Sequence, residues 1–207
     1  MFILLLITQP LLFFRYIIII IASIVLHELA HGFSAISQGD NTPEHSGHMT
    51  LNPIVHMGWY SIIFLCLAGF AWGQMPVNPR RFRHGKLSDI IVSAAGPLSN
   101  LALGCIFLTV LAFFHSFGVI SSQFFYLGAK INFLLFLFNM LPIPPLDGFH
   151  VLSQIFPGLK PLDNPQTGMV LFMIIFLVPG FSEGLQAVAD LIISLLSGIK
   201  PDSYMIF

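Results

Sequence analysis

The chain has 207 residues, of which 56% are hydrophobic and only 8% charged, with a mean hydropathy of +0.89 and a formal net charge of −1. Roughly a quarter of the residues in a soluble domain are charged, so this composition predicts an integral membrane protein. The near balance of nine acids and eight Lys and Arg residues makes no case for nucleic-acid binding, which asks for a basic stripe or a strongly basic domain. Cys66 and Cys105 both lie in apolar runs, so neither a disulfide framework nor a thiolate zinc site is indicated, and both are expected to be buried packing residues.

The segment from Met1 to Phe14 has no basic leader and no clear small-residue cleavage site follows it, so it is expected to stay rather than act as a signal peptide. A helix needs about 20 apolar residues to cross a bilayer core. The first such run extends from about Leu11 or Tyr16 to about Ser37 and carries His27-Glu28-Leu29-Ala30-His31 near its inner end. Two histidines four apart share one helix face and reach one metal ion, and the glutamate beside the first holds a water against that ion.

Gly39 to Gly58 follows, a polar stretch with turn residues around a short β-like piece near positions 48–52, ended by Asn52-Pro53. His45 and His48 in this loop are expected to be solvated. Trp59 to Trp72 is apolar but short. Gln74 to Lys86 holds Arg80, Arg81, Arg83 and Lys86, four of the eight basic residues, and the positive-inside bias places such a loop in the cytoplasm. A second spanning run extends from about Leu87 to His115 and a third candidate from about Gln123 to Leu141. In the second, Asn100 is expected to pack or hydrogen-bond against the metal helix. Val151 to Phe156, Gly168 to Val178 and Leu185 to Leu196 are shorter, and suit tilted spans, re-entrant pieces or interfacial helices. The fold class predicted is all-α and polytopic, with about four to six transmembrane helices, in a single membrane domain over 1–207 with a catalytic core at about 16–156.

Ionisable groups at bilayer depth are costly and mark function, with a charge at a helix centre costing upwards of about 2.5 kcal/mol. Beside Glu28, the acid that stands out is Asp147. It lies near the end of the run Asn139-Met140-Leu141-Pro142-Ile143-Pro144-Pro145-Leu146-Asp147-Gly148, whose prolines break helix geometry. A carboxylate there supplies the third ligand that two histidines leave wanting, with the fourth position open to water. Taken alone, Asp147-Gly148 also reads as a turn after the prolines.

His27-Glu28-Leu29-Ala30-His31-Gly32, Leu51-Asn52-Pro53, Val77-Asn78-Pro79, Ala95-Gly96-Pro97-Leu98-Ser99-Asn100 and the run from Asn139 to Gly148 together, and in this order, resemble the site-2 protease family of intramembrane zinc metalloproteases, most closely its compact prokaryotic members. The resemblance spans roughly Ile24 to Leu152. It implies one Zn2+ held by His27, His31 and Asp147, with Glu28 as catalytic acid and base, in a multi-pass protein of a prokaryotic cell membrane with its site toward the cytoplasm. The implied partners are the lipid bilayer and a transmembrane protein substrate. Asn139 matches the family asparagine ahead of the prolines, and is a candidate for stabilising the tetrahedral oxyanion or for bonding a helix end. His56 falls where small members often carry a histidine; it is a candidate donor to the reacting carbonyl or a loop anchor, and Met57-Gly58-Trp59 departs from the acidic residue that often follows. The Met49-Thr50-Leu51 piece suggests an edge onto which an unwound substrate pairs. A catalytically silent relative and an intramembrane metal carrier are the competing readings. Intact Glu28 disfavours the first, and the few polar groups continuing through the spans disfavour the second. A zinc protease of lipidated substrates is the nearest enzymatic rival, and the Leu-Asp-Gly third ligand argues against it.

Overall fold

A computed structural model describes residues 2–114, 121–162 and 165–198. The principal helices are α1 (Pro10–Ser37), α2 (Pro53–Ala68), α3 (Lys86–Phe114), α4 (Ser122–Asn139), α5 (Asp147–Ile155), α6 (Pro165–Leu177) and α7 (Phe181–Ser197). The two strongest spanning runs emerge as α1 and α3, the third candidate as α4, and the shorter apolar pieces overlap α2, α5, α6 and α7. Among the described residues only α1 and α3 are long and apolar enough to cross a membrane, fewer than the four to six expected. Both leave large apolar side chains uncovered, including Leu11, Ile18 and Phe33 on α1 and Ile106 and Phe113 on α3, as suits helices whose solvent is hydrocarbon.

No strand occurs among the described residues, which corrects the β-like element expected near 48–52: the chain there is turn and bend. Thr50 N–H closes a tight bond to the His48 carbonyl at 2.9 Å, and the Asn52 cap starts α2 immediately afterwards. A second correction concerns the cysteines. Both are free, but Cys66 is half-buried and Cys105 exposed; Cys105 lies on α3, where an apolar side chain on a spanning helix needs no protein cover.

Two compact units divide the chain, Met1–Ser99 and Asn100–Phe207. In the first, α1 packs against α2. α1 buries a stripe at helical spacing, Ile20, Ser23, Ile24, His27, His31 and Ala35, so the face that packs is also the face that carries the motif. α2 begins with the Asn52 side chain accepting the Ile54 N–H at 3.0 Å and Pro53 in the first turn, breaks at Gly58 (φ 67°), and ends at left-handed Gly69, a sequence of cap, proline and glycine that fixes both its ends. Ala35, Phe82 and Val92 form a small core beneath the basic loop, whose Arg80, Arg81, Arg83 and Lys86 are all exposed.

In the second unit α4 packs on α7 around Leu108, Leu111, Tyr126, Ala129, Phe133, Ala189 and Ile193. Two glycines make the packing close. A Cβ on Gly104 of α3 would lie 2.9 Å from the Phe133 ring of α4, and one on Gly128 of α4 would lie 2.5 Å from the Phe107 ring of α3. Each helix thus seats an aromatic knob over the other's glycine, the small-residue contact that membrane helices use. Asn100 donates to Asn132 of α4 at 3.2 Å, and Asn132 donates in turn to the Gly128 carbonyl at 2.9 Å. Asn100 thus ties α3 to α4 through Asn132.

Candidate metal centre

His27 and His31 stand one turn apart on α1, each 8% exposed, with ring planes at 75° and centroids 4.7 Å apart. Their Nε2 atoms are 3.0 Å apart. His31 Nδ1 lies 2.7 Å from the Val92 carbonyl of α3, which only accepts, so Nδ1 carries the hydrogen and the Nε2 lone pair faces His27. Orienting a ligand imidazole through its second nitrogen in this way is the usual outer-shell arrangement of a metal site. Two nitrogens bound to one tetrahedral zinc stand about 3.3 Å apart, so the pair fits that ion. α3 meets the pair again one turn beyond Val92, where a Cβ on Gly96 would fall on the Nε2 atoms of both histidines.

Glu28, 7% exposed, lies beside the backbone of Gly73, whose added Cβ would meet the Glu28 carboxyl and come within 2.8 Å of its Cγ. Gly73 belongs to an irregular segment, Phe70 to Asn78, that is fastened on both sides. The Ser61 hydroxyl bonds both the carbonyl and the N–H of Trp72, at 2.7 and 2.9 Å, and the Gln74 N–H donates to the His56 carbonyl at 2.9 Å.

The His56 ring is fully buried and its Nε2 donates to the Thr50 carbonyl at 2.6 Å. With that hydrogen on Nε2, Nδ1 holds a lone pair, and it has no hydrogen-bond partner among the described residues. The His56 ring holds Thr50 and its carbonyl holds Gln74, contacts that suit the loop-anchor role. His48 turns its Nδ1 to Ser46 and His45 is exposed, as loop histidines.

In the second unit Asp147 opens α5, half-buried in its first turn, where the helix dipole favours a carboxylate. Asp147-Gly148 is thus a helix start rather than a turn. Gly148 is required there, since a Cβ would collide with the backbone of Met140. Asn139 donates to the Leu135 carbonyl one turn back, at 2.9 Å, a helix-end bond. His115 lies outside the described residues.

Asp40 escaped the sequence reading. Fully buried after α1, it accepts from the Thr42 N–H and hydroxyl at 3.0 and 2.5 Å and from the Asn78 N–H at 2.6 Å. Burial pushes its carboxyl up, but the bonds from Thr42 and Asn78, with Arg81 nearby, outweigh burial and hold it below the ordinary range. Asn78 in turn caps Arg80 N–H at 3.2 Å. The only local signal was an acid followed by Asn-Thr-Pro. The Lys130–Asp190 ion pair, 2.9 Å, with Tyr126 OH also on Asp190 at 2.9 Å, was likewise missed.

Comparison with known proteins decides the family. The model of peptidase family M50 matches residues 15–122 and 117–180. The chain is a member of peptidase family M50, the site-2 protease family. It is 37% identical over 207 aligned residues to "Putative zinc metalloprotease YwhC" of Bacillus subtilis, covering 92% of this chain and 94% of that protein. It is 31% identical over 195 residues to "Putative zinc metalloprotease Rip2" of Mycobacterium tuberculosis, covering 83% of this chain and 71% of that one. A shorter match, 43% over 62 residues, covers 30% of the chain and 32% of "Putative zinc metalloprotease MJ0611" of Methanocaldococcus jannaschii. No solved structure matches. The M50 match embraces the histidine pair in one stretch and Asp147 in the other, and makes this chain a metalloprotease with zinc as the metal that its histidine pair fits.

Proposed function

We propose that the chain is an intramembrane zinc endopeptidase that hydrolyses a peptide bond in or near a transmembrane segment of another membrane protein. The observation that carries the reading is the buried histidine pair, with both Nε2 atoms turned to one place and His31 fixed through Val92. His27, His31 and Asp147 are the proposed ligands of one zinc ion, and 1–207 works as one membrane-embedded domain with its catalytic core at about 16–156.

Bound zinc supplies a Lewis acid and a water of lowered pKa. Glu28, one residue from His27, takes the proton of the attacking water and hands it to the leaving amine. Asn139 spends one amide hydrogen on Leu135, and its second is the group proposed for the tetrahedral oxygen. His56 is a positioning residue that keeps the loops around α1 in place. The substrate arrives from the bilayer and must unwind locally, because a helical peptide bond has its backbone hydrogen bonds already made. The basic Arg80 to Lys86 loop supports a site toward the cytoplasm through the positive-inside bias, and the proposed polytopic arrangement has four to six spans, counting the shorter apolar helices.

The test is cleavage of a panel of transmembrane reporters in detergent and in proteoliposomes by the unaltered chain and by Glu28→Gln. The unaltered chain is expected to cut at least one reporter, and Glu28→Gln to retain zinc while cutting about 10³-fold more slowly. Equal rates would show that Glu28 is not the acid and base. Bound zinc with no cleavage of any reporter would favour a silent or metal-carrying relative.

A further inference from the structure

We infer that Gly96 and Gly73 are positioning residues that divide the work of the site: Gly96 keeps open the space that a metal needs between the two histidines, and Gly73 sets the carboxyl of Glu28. The inference rests on the zinc protease reading and deepens it, assigning residues outside the His-Glu motif to its two separate functions.

At Gly96 the atoms that an added Cβ would meet first are His31 Nε2, His27 Nε2 and His27 Cε1. The two nitrogens are the atoms that would bind the metal, so the methyl group of an alanine would crowd the space an ion needs. His31 has little freedom to yield, because its other nitrogen is bonded to Val92 one turn earlier on the same helix. α3 therefore grips His31 at one turn and leaves a gap at the next. Pro97 beside Gly96 is fully buried, which keeps this turn of α3 from drifting outward.

At Gly73 the first atoms met are the Glu28 carboxyl oxygen and Cγ, and Ile24 Cγ2 at 2.8 Å. Here the backbone cannot give way. Trp72 is held at both its polar groups by buried Ser61, and Gln74 by the carbonyl of buried His56. The carboxyl is the far end of a flexible side chain, and so it is Glu28 that a larger residue at position 73 displaces. A displacement of about 1 Å at a reacting group costs on the order of 100-fold in rate.

The two substitutions should therefore separate metal binding from turnover. Gly96→Ala and Gly73→Ala of the full chain, purified in detergent, are compared with the unaltered protein for zinc content, for melting with and without zinc, and for cleavage of a transmembrane reporter. Gly96→Ala is expected to bind zinc about 10- to 100-fold more weakly, and its metal-free form to melt with the metal-free unaltered chain. Gly73→Ala is expected to keep its zinc and its KM and to lose about 100-fold in kcat. In a Glu28→Asp background, where the shorter acid leaves room for a Cβ, adding Gly73→Ala is expected to cost far less than it does alone. Wild-type zinc affinity in Gly96→Ala would overturn the inference, as would a metal-free form that melts well below its counterpart. So would zinc loss or undiminished kcat in Gly73→Ala, or full additivity in the double variant. If the unaltered chain itself bound no zinc or cut no reporter, the protease reading would fail instead.

Discussion

Asp40 and Glu28 are both buried acids in the first unit, and their surroundings give them opposite tasks. Three donors saturate Asp40 and tie the end of α1 to Asn78, 38 residues away, whereas Glu28 sits next to His27 in the chain and against a glycine backbone. The Asp40 carboxyl is held below its ordinary range, so it stabilises the fold above its unfolded pKa of about 3.9, and that contribution is lost as pH falls through the lower folded value. Asp40→Asn is expected to melt lower than the unaltered chain at neutral pH, with the gap closing as pH falls below about 4. A gap that does not change with pH would mean that ionised Asp40 is not what holds the loop. His27, Glu28 and His31 were legible in the sequence because their spacing is the helix period itself. Asp40, Gly73 and Gly96 were not, since each owes its role to a partner brought near only by folding.

At the scale of elements, helix positions followed from apolar run length, and α1 and α3 begin and end within a few residues of the expectation. Run length cannot tell how the helices grip one another. α4 and α7 are joined by Lys130, Tyr126 and Asp190, whose charged groups are 17% and 15% exposed. Removing one partner of such a pair strands the other. Lys130→Met is expected to destabilise the protein by about 2 kcal/mol, and Lys130→Met with Asp190→Leu to recover most of that, measured by denaturant or thermal unfolding in detergent. Equal destabilisation by the single and double variants would mean that lysine packing, not the ion pair, holds the helices. The loop at 48–52 shows the opposite error: a short β-like piece was expected between turn residues, but Asn52-Pro53 and the His56 bond to Thr50 commit the chain to a turn leading into α2.

For the whole molecule, family membership and the apolar, uncovered faces of α1 and α3 agree with the composition in pointing to a membrane-associated metalloprotease. The central claim is that its metal site is built from two distant parts of the chain, a histidine pair on α1 and an aspartate at the start of α5. Asp147 was legible as an acid in a proline-broken apolar run and again through the family resemblance; what the sequence did not show is that it opens a helix, with a glycine behind it that backs onto Met140. Metal analysis of the purified full chain beside Asp147→Ala and His27→Ala tests the claim most directly. The account predicts one zinc per unaltered chain, with both variants losing it while keeping their helical content. Zinc retained at full stoichiometry in Asp147→Ala would contradict it.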